Sequence, residues 1–415
     1  MIRILKINTS DHRGGAARLA LDLKNGLEKE GLDVSLFVKE KRTNSNNIFL
    51  IKEKGWFSKL LYKIFRKDID SFFYNKIHYF LSNDIEHFNN SSLLLSKRLK
   101  EVDIVHCHNL HNSFFNLKNM EIISKNKPIV WSLHDMWAIT AHEAWLIKDE
   151  SGKPLFSMEV KPNLLFNRRK YLFQQKEKIY NKSKLHIVAT SRWLEKEVRK
   201  SILGKQKIYY IPNGVDQEMY KPRHKETTRQ ELSLPVSKKI ITLMSAGGKH
   251  NPQKGWRFAK GVIEHYKDRD DILFLMIGGL EDSEKIDNKN IKFIPYINDE
   301  HTFAKYYNAS DIFLHTSEAE AFSLVITQAL SSGVPVVAFP VGISPEAIKH
   351  KESGYIAKYQ DTLDLINGVN FLLSKNKNEL EEMAKIARGT IINNFTKDKM
   401  VKEYIKLYKQ ILQNE

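Results

Sequence analysis

The sequence predicts an α/β protein with two domains, each built on a doubly wound parallel sheet. The chain has 415 residues, too many for one ordinary core and suited to two domains of roughly 200 residues each. A hydrophobic fraction of 42% is ample for two packed cores. Short apolar strand patterns alternate with amphipathic helix patterns along most of the chain. Strands that are apolar on both faces need helical crossovers, so a parallel sheet is the economical arrangement.

The first domain is predicted over residues 1–208. It opens with the strand IRILKIN, the loop TSDHRGG, the helix AARLALDLKNGLEKEG and the strand DVSLFV. Strand, glycine loop, helix and strand form a βαβ unit. The strands DIVHCHNL, PIVWSLHD and LHIVATS continue the series. The first domain is therefore expected to be Rossmann-like.

The second domain is predicted over residues 209–390. It begins with the connector YYIPNGVDQEMYKP, whose proline and glycine residues indicate irregular structure. The strands KIITLMSAGG, ILFLMIGG, IKFIPYI and IFLHTS follow, with helix patterns between them. The chain is predicted to end in two amphipathic helices with a break near Asn393 to Thr396, and residues 391–415 are assigned to the C-terminal helix. This helix either packs on the second domain or returns to the first.

Composition restricts the setting and the partners of the chain. Cys107 is the only cysteine, which excludes an intrachain disulfide and indicates a reducing, cytoplasmic setting. We expect Cys107 to be a small buried residue. The N-terminus lacks the apolar region of a secretory signal, and no run approaches the roughly 20 apolar residues of a spanning helix. A soluble protein, or one peripheral to the inner face of the cell membrane, is expected.

The formal net charge of +17 predicts anionic partners. Nucleic acid, anionic lipid headgroups and phosphorylated small molecules all qualify. No zinc-finger spacing, arginine-rich tail or RNP-like motif is present, so nucleic acid is not expected as a partner.

Three loops that follow predicted strands could carry chemistry. In TSDHRGGAAR, Gly14 and Gly15 let a ligand approach a helix N-terminus, although paired glycines before a helix are common. In GKHNPQKG, residues 248–255, two lysines could neutralise a diphosphate, although a solvated basic turn has the same composition. In SEAEAFSL, residues 317–324, the carboxylates precede a helix, where they could simply cap it.

The stretch TSEAEAFSLVITQALSSGVPVVAF resembles the donor-site signature of retaining glycosyltransferases of family four, which have the two-domain B-type fold. The resemblance extends through SDHRGGAAR, DIVHCHN, WSLHDMW, IPNGVDQEMYKP and GKHNPQKG in the family's order. It implies two Rossmann-like domains facing a central cleft. It also implies transfer of a sugar from a nucleotide-diphosphate sugar to a hydroxyl group, with retention at the anomeric carbon.

The resemblance assigns a role to each matching residue. Glu320 and His134 are implied as catalytic residues: Glu320 lies near the donor sugar, and His134 contacts sugar hydroxyls or the transition state. The remaining residues are implied to bind ligand. The diphosphate is assigned to Gly248, Lys249 and Lys254, and its phosphate oxygens to the backbone of Phe322, Ser323, Leu324 and Val325. The ribose is assigned to Gln328, and the acceptor or sugar side to Gly14, Gly15 and Arg18.

Two positions depart from the family's pattern. Gln328 stands where the second glutamate is usual, and Lys249 stands where arginine is usual. A glutamine carbonyl can accept a ribose hydroxyl without charge, at a cost of about 1 kcal/mol in binding. Lysine keeps the charge but loses the two-pronged geometry of arginine. An active enzyme is expected; the alternative is a degenerate, non-catalytic scaffold that binds nucleotide or membrane.

Neither a metal nor a cofactor is expected, because two lysines can neutralise a diphosphate leaving group without a metal. In the family the leaving phosphate accepts the proton of the acceptor, so an acid and base pair of carboxylates is not required either. A UDP-linked or GDP-linked sugar is the expected co-substrate. The run from His106 to His108 looks like a metal-ligand pair, but we expect the alternation of side chains along a strand to separate the two histidines. Both are expected to be structural.

Residues 51–81 combine basic and aromatic residues in a helical pattern, which is typical of a helix that lies on an anionic membrane. Such docking would suit a glycan or lipid-linked acceptor. The alternative is a helix packed on the first domain with a solvated basic face. An epimerase or a phosphorylase could share the fold, but the acidic and histidine set of the former and the cofactor lysine of the latter are not evident.

Overall fold

The structure is a computed structural model that describes residues 1–12, 14–51, 85, 97–111, 114–148, 154–159, 169–244, 251–278 and 289–414. The chain divides into two compact units. The first comprises Met1–Ile211 together with Met400–Glu415, and the second comprises Pro212–Lys399. Helices cover the strands of each unit, so the chain has the α/β architecture that the sequence predicts.

The first unit contains a parallel sheet in which the described residues contribute seven strands, in the order β3-β2-β1-β4-β5-β8-β9. These strands are β1 Arg3–Ser10, β2 Asp33–Glu40, β3 Ile48–Leu50, β4 Ile104–Cys107, β5 Ile129–Leu133, β8 Leu185–Ala189 and β9 Lys207–Tyr210. An antiparallel hairpin, β6 Glu143–Lys148 with β7 Pro154–Glu159, lies outside this sheet.

The helices of the first unit alternate with its strands. Those described before its last strand are α1 Gly15–Lys29, α2 Lys97–Glu101, α3 Asn119–Ile123, α4 Arg169–Asn181 and α5 Arg192–Arg199. Every residue of β4, β5 and β8 is buried. Their largely apolar character therefore follows from helices covering both faces of the sheet.

The second unit has a parallel sheet with six strands among the described residues, in the order β12-β11-β10-β13-β14-β15. These strands are β10 Lys239–Met244, β11 Ile272–Ile277, β12 Ile291–Ile294, β13 Ile312–His315, β14 Val336–Ala338 and β15 Gly354–Ile356. One described helix, α6 Lys225–Glu231, precedes these strands. The helices described between and after them are α7 Trp256–His265, α8 Glu300–Ala309, α9 Leu324–Ser331, α10 Ser344–Ala347, α11 Thr362–Leu373 and α12 Lys377–Asn394.

The last helix, α13 Lys397–Gln413, packs on the first unit from Met400 onward. Its buried face carries Tyr404, Leu407, Tyr408 and Ile411, which belong to one cluster with Ile4 of β1 and Leu23 of α1. The predicted break near Asn393 to Thr396 is confirmed, because α12 ends at Asn394 and α13 begins at Lys397.

The predicted membrane-docking stretch, residues 51–81, lies outside the described residues apart from Ile51. No helix in the described part of the chain is both long enough and apolar enough to cross a membrane.

Candidate functional site

The carboxyl end of β13 leads into a buried loop, residues 316–323, and then into α9. In the second unit β10 is followed in the chain by β11 on one side, whereas β13 pairs with β10 on the other. The direction of winding therefore reverses between β10 and β13. In open α/β sheets, ligands bind beyond the carboxyl ends of the strands at such a reversal.

Lys254 and Glu320 form an ion pair at this loop. Nζ of Lys254 lies 2.7 Å from Oε1 of Glu320, and the two side chains are 27% and 10% exposed. Burial by itself would raise the pKa of Glu320, but Lys254 and the nearby imidazole of His315 hold it below its ordinary value. Glu320 is therefore ionised and carries its charge next to the cation assigned to the diphosphate.

The turn before α7 is bonded directly to the loop after β13. Thr316 Oγ1 donates to the Lys254 carbonyl at 2.9 Å, and Gln253 Nε2 donates to the Ala319 carbonyl at 2.6 Å. Gly255 has φ +64°, and a Cβ there would overlap the carbonyl oxygen of Thr316. Only glycine allows this close approach, which brings Lys254 to Glu320.

The N-terminus of α9 has no side-chain cap. Ser323 is the N-cap residue, with φ +82° and ψ +79°, a left-handed conformation that is costly for a residue with a Cβ. Its Oγ lies 2.8 Å from Nε2 of the buried His315 instead of reaching back to the helix. The first N–H groups of a helix have no acceptor within it, so those of Leu324 and Val325 remain available to an anion.

The carboxylates of the loop do not cap α9, so the capping interpretation is wrong. Glu318 Oε2 accepts hydrogen bonds from Arg257 and Gln360, each at 2.7 Å. Glu320 instead bonds to Lys254. Both carboxylates point to partners outside the helix because the left-handed turn at Ser323 separates them from its first turn.

Gln328, on α9, is buried in the second unit. Its Oε1 accepts a hydrogen bond from the Tyr307 hydroxyl at 3.2 Å. The carbonyl that was assigned to the ribose therefore already has one donor, and its second lone pair and the amide N–H groups are left for a ligand. A rotation of the Gln328 amide group by 180° would exchange the positions of its carbonyl oxygen and its NH2 group.

In the first unit, His134 follows β5 and contacts a second histidine. Its Nε2 lies 2.9 Å from Nδ1 of His108, and the two rings are stacked at 11° with centroids 5.2 Å apart. Burial, opposed by the charge of Asp135, lowers the pKa of His134 to about 4. His134 is therefore neutral near neutral pH.

The expectation that strand alternation separates His106 from His108 is wrong. Residues two apart in a strand share a face, and the two ring centroids are 4.3 Å apart. His106 is fully buried, with Nδ1 2.7 Å from the Tyr408 hydroxyl and Nε2 2.8 Å from Ser132 Oγ. Within the described ranges, no group of three or more His, Cys, Asp or Glu side chains is arranged to hold a metal ion.

The glycine loop after β1 leads into α1. Gly14 has φ +85° and is the N-cap residue, and a Cβ at either Gly14 or Gly15 would meet no described atom within 4 Å. The side chain of Arg18 lies on α1 with Nε 4.0 Å from Oδ2 of Asp22. Gly248 and Lys249 lie outside the described residues.

Asp11, which the sequence analysis did not single out, anchors this loop. Its carboxylate accepts hydrogen bonds from Thr43 Oγ1 at 2.6 Å, Thr43 N at 2.9 Å and Arg42 N at 3.0 Å. Burial opposes ionisation, but these hydrogen bonds lower the pKa of Asp11 to about 2. An acidic residue immediately after a strand was the available signal.

Two further histidines contact residues of the predicted site. His108, which was expected to be structural, contacts His134, and His315, the last residue of an ordinary strand pattern, contacts Ser323. The first of these contacts joins residues that are distant in the chain.

Comparison with known proteins gives the family. Residues 13–219 match the family model described as Glycosyltransferase Family 4, and residues 224–390 match that described as Glycosyl transferases group 1. A colanic acid biosynthesis glycosyl transferase assigned in Escherichia coli (strain K12) is 23% identical over 99% of this chain and 100% of that protein. The N-acetyl-alpha-D-glucosaminyl L-malate synthase of Bacillus anthracis is 26% identical over 55% of this chain and 60% of that enzyme.

Among solved structures, Anabaena Alr3699/HepE in complex with UDP and glucose superposes with a TM-score of 0.67 at 16% identity, covering 99% of this chain and 100% of that one. At this identity the likeness shows the fold, an α/β fold with two Rossmann-like domains. The two family matches follow one another along the chain with a short gap between them, and the chain therefore belongs to the family-four glycosyltransferases.

Proposed function

We propose that the chain transfers a sugar from a nucleotide-diphosphate sugar to a hydroxyl group of a glycan or lipid-linked acceptor, with retention at the anomeric carbon. The observation that carries the proposal is the arrangement of Lys254, Glu320 and the uncapped N-terminus of α9 around one loop of the second unit. A cation and open N–H groups suit a diphosphate. A carboxylate beside them suits the hydroxyl groups of the attached sugar.

The donor is proposed to be UDP-linked or GDP-linked. The Anabaena protein of the same fold binds UDP and glucose, which supports the UDP class. Gln328 is proposed to contact the ribose through its amide, and Lys249 to share the diphosphate with Lys254. The ion pair between Lys254 and Glu320 must open or be shared when the diphosphate arrives.

The reaction proposed breaks the bond between the anomeric carbon and the leaving phosphate oxygen. The acceptor oxygen forms its new bond on the same face of the sugar, and its proton passes to the leaving phosphate. No acid and base pair of carboxylates is then needed. This agrees with the contacts of Glu318 and Glu320, each of which already bonds to a cationic side chain.

The acceptor is proposed to belong to bacterial surface polysaccharide biosynthesis. The support is the colanic acid relative, which aligns over nearly the whole of both chains. Residues 51–81 are proposed to hold the protein on the inner face of the cell membrane, where lipid-linked acceptors are found. The protein would then be cytoplasmic and peripheral.

The test is a thermal-shift screen against UDP, GDP, ADP and TDP sugars. Stabilisation by one nucleotide class is expected, by about 2.7 kcal/mol at a ligand concentration of 100 times Kd. Glu320→Ala should reduce the shift, and Gln328→Glu should change it if the amide contacts ribose. If none of the nucleotide sugars shifted the melting temperature, the non-catalytic scaffold would be favoured instead. The anomeric configuration of the product, read by NMR, tests retention.

A further inference from the structure

The imidazole of His134 is held in place by that of His108, which is itself fixed. His108 is 2% exposed, and its backbone N–H donates to the Ile7 carbonyl at 2.9 Å. Its own carbonyl accepts from Nε1 of Trp131 at 2.8 Å. The ring of His106 lies against it at 4.3 Å. His108 therefore offers His134 a partner with little freedom to move.

Only one hydrogen atom can lie between Nδ1 of His108 and Nε2 of His134, which are 2.9 Å apart. If His134 donated that hydrogen, a neutral His108 would carry its own on Nε2. That atom is buried and has no hydrogen-bond partner among the described residues. Buried N–H groups without an acceptor are rarer in proteins than acceptors without a donor. To avoid a buried N–H group without an acceptor, the shared hydrogen must lie on Nδ1 of His108.

A doubly protonated ring does not offer another solution. Burial, reinforced by the positive charge of Lys6, lowers the pKa of His108 well below its ordinary value. Burial also dominates the lowered pKa of His134. Both rings are neutral near neutral pH, so each carries one hydrogen.

We propose that His108 is a positioning residue that donates from Nδ1 to Nε2 of His134 and so holds His134 as its Nδ1–H tautomer. His134 is only partly buried, and Nδ1 has no partner among the described residues. This nitrogen is therefore the one left to contact a ligand, and it does so as a hydrogen-bond donor.

The functional meaning rests on the proposed transfer reaction. A His134 that presents N–H can donate to a sugar hydroxyl or a phosphate oxygen, but its only lone pair is already bonded to His108. It cannot accept the proton of the acceptor hydroxyl. That proton must go to another acceptor, for which the leaving phosphate oxygen is available in the proposed reaction.

The first experiment reads the tautomer without any substrate. In the full chain labelled with 15N-histidine, long-range 1H–15N correlation distinguishes Nδ1–H from Nε2–H, and the His134→Gln variant assigns the signal. We expect Nδ1–H near neutral pH. His108→Leu should allow both tautomers of His134, whereas His108→Asn keeps a side-chain N–H and should preserve the native one. An Nε2–H signal from His134 in the native chain would overturn the proposal.

His186→Leu is the matched control. His186 is also a buried strand histidine, with Nδ1 3.2 Å from the Tyr209 hydroxyl, and it pairs in register with Val130, four residues before His134 in the chain. The control should lower stability by a similar mechanism and leave the His134 tautomer unchanged. A His134 signal that changed equally in the control would mean that general loosening, and not the hydrogen bond, sets the tautomer.

The second experiment uses turnover of whichever nucleotide sugar the chain accepts. His108→Leu should lower kcat about tenfold to a hundredfold, as misplacement of a catalytic group does, with a smaller change in the donor KM. His108→Asn should recover most of kcat. If no nucleotide sugar binds, the proposed function fails while the tautomer signal still decides the present inference. If turnover occurs and His108→Leu changes neither kcat nor the tautomer, only the present inference fails.

Discussion

Ser323 provides a test in which the glycine variant is expected to be more stable than the alanine variant, the reverse of the usual order. The residue has φ +82°, and the left-handed conformation costs a residue with a Cβ roughly 1–2 kcal/mol, whereas glycine adopts it freely. Its hydroxyl also contributes the 2.8 Å hydrogen bond to His315 Nε2. The other nitrogen of that imidazole, Nδ1, is buried with no partner in the described part of the chain.

Ser323→Ala keeps the backbone strain and removes the hydrogen bond. It should therefore lower the free energy of unfolding by about 1–3 kcal/mol, the cost of leaving a buried polar group unpaired. Ser323→Gly removes the same bond but also the strain. Glycine in turn gives the unfolded chain more freedom, which costs about 0.4–1 kcal/mol relative to alanine. The net expectation is that Ser323→Gly is more stable than Ser323→Ala by about 1 kcal/mol.

Urea unfolding of both variants, followed by fluorescence, measures this difference. Thermal unfolding should separate the two by about 2–4 °C for a unit of this size. Ser374 is the control, because it ends α11 with φ −76° and carries a similar local hydrogen bond, from Oγ to the Phe371 carbonyl. At position 374 the alanine variant should be at least as stable as the glycine variant. An alanine variant at Ser323 as stable as the glycine variant would refute the assignment of strain to this turn.

Three further predictions follow from the described contacts. Lys254→Met should weaken nucleotide-sugar binding about tenfold to a hundredfold, because it removes a charge-assisted contact. The control, Lys260→Met on the exposed face of α7, should leave binding unchanged. Equal losses in both variants would contradict the assignment of Lys254 to the diphosphate. Gly255→Ala should destabilise the second unit by more than about 2 kcal/mol, read as a lower urea midpoint, because φ +64° and the adjacent carbonyl both exclude a Cβ; an unchanged midpoint would refute this. The pKa of Asp11 is lowered from an ordinary 3.8 to about 2. At pH values above about 4 its ionised carboxylate therefore contributes about 2 kcal/mol to the free energy of unfolding, and this contribution is lost as the pH falls from about 4 towards 2. The stability difference between the native chain and Asp11→Asn should shrink by that amount over this range, and a difference independent of pH would contradict it.

The α/β class and the positions of most strands could be predicted because strands buried on both faces are predominantly apolar. The run IVWSL became the wholly buried β5, and ILFLMI became the wholly buried β11. The hairpin of β6 and β7 was missed, since it is not part of either parallel sheet and lacks the alternation with helices that the other strands share. The start of α9 at Leu324 could not be predicted, because periodicity cannot reveal a left-handed turn at a serine.

The same distinction holds within the candidate site. The sequence by itself determined which chemical groups follow the strands: the glycine loop, the lysines, the carboxylates and His134 all lie where strand patterns end, because the order of residues along the chain decides this. Only the tertiary structure decided their partners. Glu320 meets Lys254, and His134 meets His108, because parallel strands bring segments far apart in sequence to one edge of a sheet. The pairing of charges, the tautomer of an imidazole and the strain at Ser323 depend on those through-space contacts, and a pattern read along the chain contains no distances between them.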